Sequence, residues 1–321
     1  MKKNKDRIFI SVIGTIIIIF LIITCFLWLA NIEIFNWNLP IHYDAFGTFG
    51  DFWGGFIGTL VAILAAWYVF KTYRQSQEQH EKQLIESSFF EMLKVHQRNV
   101  DKLQEKDCDI FEDYTDILRS IYKSVKEFKE SSVKSWSKED TFKVAYLYFF
   151  YGMRNVKDAP PSFENRITSA DIQEINAYFF SKNLEYAGCY LDLGIYFRQL
   201  FQMVSHINDS QVLSYKEKYN YIKNLRARLN INEQYLLFLN SMSTLGAPWE
   251  KGFDNKDNKL ITKYNLLKNI PEEFPQIEDF DFRTEYNHID YEYFGRWGNP
   301  NRKQWSKYYT YFFFHATFFL C

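Results

Sequence analysis

Cysteine, proline and glycine are scarce in this chain, at 4, 7 and 13 of 321 residues. Cys25, Cys108, Cys189 and Cys321 stand singly, which excludes the paired spacing of a zinc site and the dense framework of a disulfide-stapled secreted fold. That pattern fits a reducing cytosol. The low glycine and proline content excludes a low-complexity chain and points to a packed globular part. Excess charge of either sign is missing as well. With 38 Lys and Arg against 39 Asp and Glu, the chain carries neither a basic footprint for nucleic acid nor an acidic tail.

The familiar signatures of catalysis are also missing. A phosphate-binding loop needs a glycine-rich turn followed by Lys and Ser or Thr, but the glycines here cluster inside an apolar run. His80 and Glu81 have no second His four residues on, as a zinc hydrolase helix requires. No serine nucleophile elbow and no cysteine nucleophile signature is present. The sequence therefore nominates no catalytic residue, no metal ligand and no cofactor, and the expectation is a protein that is not an enzyme.

What is present is charge-free length near the N-terminus. Ile8 to Ala30 runs 23 residues without a charged side chain, and Phe52 to Phe70 runs 19. At 1.5 Å per residue the shorter run covers about 29 Å, matching a hydrocarbon core of about 30 Å. Lys2, Lys3, Lys5 and Arg7 precede the first run, and Lys71 and Arg74 follow the second. Between them Asn31 to Asp51 holds Glu33, Asp44 and Asp51 but no Lys or Arg. Because cytoplasmic flanks retain Lys and Arg, this asymmetry predicts a two-helix transmembrane hairpin with both termini cytoplasmic. A cleaved signal peptide is the competing reading of the first run, but its apolar part is too long and lacks a small-residue cleavage site. The predicted division is a cytosolic N-terminus at 1–7, spans at 8–30 and 52–70, an external loop at 31–51, a helical stalk and cytosolic domain at 71–268, and an irregular aromatic tail at 269–321.

The second span carries Gly50, Gly54, Gly58, Ala62 and Ala66 at every fourth position, with Gly55, Thr59 and Ala65 alongside. Small residues at that spacing let another helix backbone approach closely. The partner is either the first span of the same hairpin or further copies of the chain. Asp51, beside this face at the membrane edge, either lines a polar opening or interface or sits in headgroup water.

Beyond Phe70 the pattern stays helical, so the fold class is all-α: a transmembrane hairpin followed by a helical domain. The polar stretch after Phe70 predicts a stalk, and apolar residues resume at Leu84, Phe89, Leu93, His96, Val100 and Leu103. Thr168 with Asp171 forms a capping-box pattern ahead of a long segment ending near His206. Helical spacing recurs over Tyr215 to Leu229 and Ile231 to Met242, while the aromatic run Tyr146 to Tyr151 leaves a strand open locally. Tyr308 to Leu320 is apolar but too short to span, and reads as a buried terminal element. Arg198, Arg226 and Arg228 sit within apolar helices, where a buried guanidinium requires an acceptor such as Glu217, Glu233 or a backbone carbonyl. Structural pairing and binding of a phosphate or nucleotide trigger are the two roles such arginines could serve.

GDFWGG at Gly50, SSFFEMLKVHQRNV at Ser87, IYFRQLFQMVSHI at Ile195, YIKNLRARLNINEQYLLFLNSMS at Tyr221 and LITKYNLL at Leu260 together resemble the phage abortive infection protein family of bacteria, some members of which are retron-associated membrane effectors. The resemblance runs from Gly50 to Leu267. Phe197, Arg198, Leu225, Arg226, Leu229 and Glu233 fall on the family's characteristic positions, and Phe197, Arg198, Arg226, Arg228 and Glu233 are the candidate trigger-binding set. The resemblance implies phage defence by an effector that halts the infected cell. Its partners would be the lipid bilayer, further copies of the chain, a retron or other defence-system component, and an unidentified phage-derived trigger. A membrane-tethered sensor or scaffold that recruits a cytosolic partner without breaching the bilayer is the alternative.

Overall fold

The computed structural model describes residues 11–12, 14–20, 22, 24, 43–104, 109–132, 134–159, 167–251 and 258–292. Among them every regular element is a helix and none is a strand, so the all-α expectation holds. The chain divides into two units, Met1–Gln75 and Ser76–Cys321.

In the first unit residues 14–20 are helical, and helix α1 (Tyr43–Leu103) begins well before the expected boundary at Phe52. Part of the predicted external loop is therefore helix. No proline lies between Pro40 and Pro160, so nothing in that stretch removes a backbone donor from the i→i−4 ladder. Among the described residues α1 alone is long and apolar enough to cross a membrane; the remainder of the first predicted span lies outside them. No residue from Phe52 to Phe70 is buried within the chain, and Val61 and Val69 are 58% and 70% exposed. In water each such side chain forgoes up to roughly 1.5–3 kcal/mol of burial. Thr15, Thr24, Thr59 and Thr72 each return their hydroxyl to the carbonyl four residues back, at 2.7–2.9 Å. That self-sufficiency is what an apolar solvent demands of a polar group.

The second unit has a conventional core. The last turns of α1 supply Phe89, Leu93, His96 and Val100 to it. Helix α2 (Ile110–Ser131), capped by Asp109, packs along α3 (Lys138–Asn155), capped by Ser137. Helix α3 is buried nearly all round, which explains the aromatic run: Tyr146 and Phe149 face one side, Tyr148 another, and all three rings are covered. The run is helical because helix neighbours surround it on every side, so period-2 alternation has no exposed face to serve. Near its end Gly152 takes φ 77 and the chain crosses the 184–189 connection, with Met153 N–H donating to Tyr186 O and Cys189 N–H to Phe150 O, both at 3.0 Å. A Cβ on Gly152 would stand 2.3 Å from Ala187 O, and one on Gly188 would stand 2.5 Å from Tyr151 C. Only glycine tolerates that crossing.

The Thr168–Asp171 capping box is present, but the helix it starts, α4 (Ser169–Ser181), stops at Ser181. The expected single segment to His206 is two helices, with α5 (Tyr190–Asp209) beginning after a connection that holds Asn183 and Gly188 at positive φ. Helices α6 (Tyr215–Arg226) and α7 (Ile231–Met242) each open on a further capping box, Ser214 with Glu217 and Asn230 with Glu233. Short helices α8 (Leu260–Tyr264) and α9 (Phe282–Glu285) follow. The described part of the tail, 269–292, is mostly turns around α9, and it is not peripheral. Ile270, Ile277, Phe280, Phe282 and Tyr291 are buried, and Ile277 N–H donates to the Tyr235 hydroxyl at 2.6 Å. Tyr308 to Leu320, like Cys25, Cys108 and Cys321, lies outside the described residues.

Candidate functional sites

In the first unit the small-residue face is open. A Cβ built on Gly50, Gly54, Gly55 or Gly58 meets no heavy atom within 4 Å, and Asp51, Ala62 and Ala66 are exposed. The helical segment at 14–20 uses another face of α1. The Phe20 ring stacks on Phe56 with centroids 3.6 Å apart, and it lies 5.1 Å from Trp53 and 5.9 Å from Phe52. At about 100° per residue that aromatic contact lies roughly 150° around the helix from Gly54. The small residues are thus not spent on the Phe20 segment.

In the second unit the five candidate trigger residues do not converge. Arg226 is 6% exposed, and its guanidinium donates to Tyr264 O at 3.2 Å and Asn265 O at 2.9 Å. Those carbonyls close α8, whose last residues cannot bond within so short a helix, so the charge serves as their donor. The backbone-carbonyl acceptor was among the alternatives read from sequence; Glu217 and Glu233 have other partners. Glu233 is buried as the third residue of the α7 capping box, accepting from Asn230 N–H at 2.7 Å and from the Tyr196 hydroxyl at 3.0 Å. Phe197 is buried beside Tyr196. Arg198 and Arg228 are exposed, contrary to the inference from their apolar neighbours: Arg198 falls on the outward side of α5, and Arg228 lies in the turn that follows α6. Arg198 Nε donates to Gly194 O of its own helix at 3.3 Å.

The buried polar centre of this unit contains residues that sequence reading passed over. His96 is 3% exposed, its ring 5.0 Å from that of Tyr196, and neither ring nitrogen has a well-aligned hydrogen-bond partner. Burial pushes its pKa down to about 4, against a slight opposing effect of the Gln199 side chain. The same burial pushes Glu233 up to about 7, helped by the carboxylate of Asp109, while Asn230 N–H and Tyr196 pull it back. His96 was legible only as one apolar-period position between Leu93 and Val100. Its loss of hydrogen bonding depends on α5 and has no local signal. Cys189 donates to Phe149 O at 3.3 Å, and burial raises its thiol well above the ordinary range, opposite to what an activated nucleophile needs.

An exposed, membrane-length apolar helix together with a helical core whose polar residues point inward defines a helical protein with a candidate membrane anchor. More particularly, residues 191–275 match the family described as Putative phage abortive infection protein. The match runs from α5 through α8 into the tail, later and narrower at its start than the resemblance read from Gly50, and it takes in Phe197, Arg198, Arg226, Arg228 and Glu233. The family's description names phage abortive infection. No curated protein and no solved structure matches the chain.

Proposed function

We propose that this protein is a non-enzymatic, membrane-anchored effector of phage abortive infection, which on triggering disrupts the inner membrane through assembled transmembrane hairpins. The lysine and arginine flanks favour an N-in, C-in hairpin, and the Phe20 contact with Phe52, Trp53 and Phe56 supports pairing of its two arms. Two spans cannot enclose a pore, so several copies contribute. The observation that carries the reading is the open glycine face of α1, free of the Phe20 contact and available to helices from other copies. Asp51 at its edge supplies the polar group that a water-filled opening would keep hydrated.

The trigger acts on the second unit, through the segment shared with the abortive infection family, and a retron or other neighbouring component holds the effector in check before infection. The test is a Gly54→Leu or Gly58→Leu chain expressed in cells challenged with phage. The expected outcome is a chain that accumulates and inserts normally yet neither depolarises the membrane nor protects. Protection by wild-type cells that keep full membrane potential until phage lysis would refute the leak and leave recruitment of a cytosolic partner as the function.

A further inference from the structure

We infer that the outer face of α5 is an interface between two copies of the chain, paired antiparallel about a two-fold axis through Ile195. The inner side of this helix is spent on the core through Leu193, Tyr196 and Leu200. Its outer side is not: Leu191 is 65% and Ile195 49% exposed, one helical turn apart. Asp192 and Arg198 stand three residues to either side of Ile195, and both are exposed. Neither is ion-paired among the described residues. One oxygen of Asp192 takes the Tyr114 hydroxyl at 2.8 Å, leaving the other open, and Arg198 bonds only its own helix through Nε.

That spacing selects the partner. In an antiparallel pair centred on Ile195, each Arg198 lies level with Asp192 of the second copy, and Ile195 meets Ile195 on the axis. A parallel pair would instead set Arg198 against Arg198. One carboxylate and one guanidinium equally spaced from an apolar centre are self-complementary, which is the requirement of an isologous contact. This contact is separate from the assembly proposed for the membrane helix and belongs to the second unit alone.

The test is oxidative cross-linking of the full-length chain in membranes of intact cells, with Cys25, Cys108 and Cys321 changed to Ser and buried Cys189 left in place. Ile195→Cys is expected to give an adduct of twice the chain mass, whereas Ile117→Cys, also exposed but on α2, gives none. Arg198→Glu or Asp192→Lys added singly lowers the yield at least about tenfold, since like charges then face each other, and the two together restore it. Restoration by the double change also shows that the single variants fold. The inference is overturned by a yield no higher than the Ile117→Cys control, by a double variant as weak as either single one, or by an adduct whose mass shows a different protein. Loss of the adduct in a Gly54→Leu chain would overturn the claim that α5 pairs copies by itself.

Discussion

The two units treat their glycines in opposite ways. Gly152 and Gly188 are locked against each other's backbone at positive φ, while Gly50, Gly54 and Gly58 are ordinary helical residues with empty space where a side chain would be. The first pair is needed for folding. The second group costs the helix stability and meets no neighbour among the described residues, which is what a face kept for the proposed contact with other copies would look like.

The strongest way to break this contrast is Gly152→Ala. It forces alanine into a glycine-only conformation and into Ala187 O, at a cost of about 3–5 kcal/mol, and thermal unfolding of the detergent-solubilised chain is expected to show little folded protein. Gly54→Ala in the same assay leaves the melting temperature within about 2 °C, because the new methyl meets nothing.

Arginines offer the next comparison. Arg226→Met removes the donor from one buried and one partly buried carbonyl and is expected to destabilise by about 3 kcal/mol, whereas Arg198→Ala changes stability by less than about 0.5 kcal/mol. Equal losses in denaturant titration would remove the distinction between the structural guanidinium and the surface one.

The pH response of the second unit is smaller, and it hides a cancellation. Glu233, raised to about 7, makes the folded state bind a proton that the unfolded chain releases above about 4.5, so its contribution is lost as pH rises from about 4.5 to about 7. His96, lowered to about 4, has the opposite sign: the unfolded chain binds the proton, and stability is lost as pH falls from about 6.5 to about 4. Each effect amounts to roughly 3 kcal/mol, and between about pH 4.5 and 6.5 they offset one another. Wild-type melting curves are therefore expected to be nearly flat across that range. His96→Leu exposes a decline with rising pH and Glu233→Gln a decline with falling pH. Parallel slopes in the two variants would contradict the assignment.

Much of the fold was legible because it is written locally. The Thr168–Asp171 capping box, the helical spacing of α6 and α7, and the apolar length of α1 are each decided within a few turns of chain; the boxes that open α6 and α7 are as local but were not read. The Thr168–Asp171 box announced a helix start correctly, but the local stop at Ser181, where Asn183 takes a positive φ and Leu184 N–H returns to Phe179 O, was passed over. The connection beyond it is fixed by Gly188 meeting Gly152, a contact between residues 36 apart that no window contains. The candidate site was less legible for the same reason. Arg198 and Arg226 read alike in sequence, each flanked by apolar residues, and only the side of the helix that meets the core separates a buried carbonyl clamp from a surface charge. The tail to Glu292 gave no periodic signal because turns anchored by Tyr235 and Gln234 hold most of it, and its one helix, α9, is a single turn.

The central claim is that the open glycine face of α1 assembles copies of the chain into a membrane breach. Its most direct measurement is membrane potential followed by a voltage-sensitive dye in phage-challenged cells carrying wild-type or Gly54→Leu protein at matched abundance. The account expects wild-type cells to depolarise before phage release and Gly54→Leu cells to stay polarised until lysis. Depolarisation of equal extent and timing in both would contradict it.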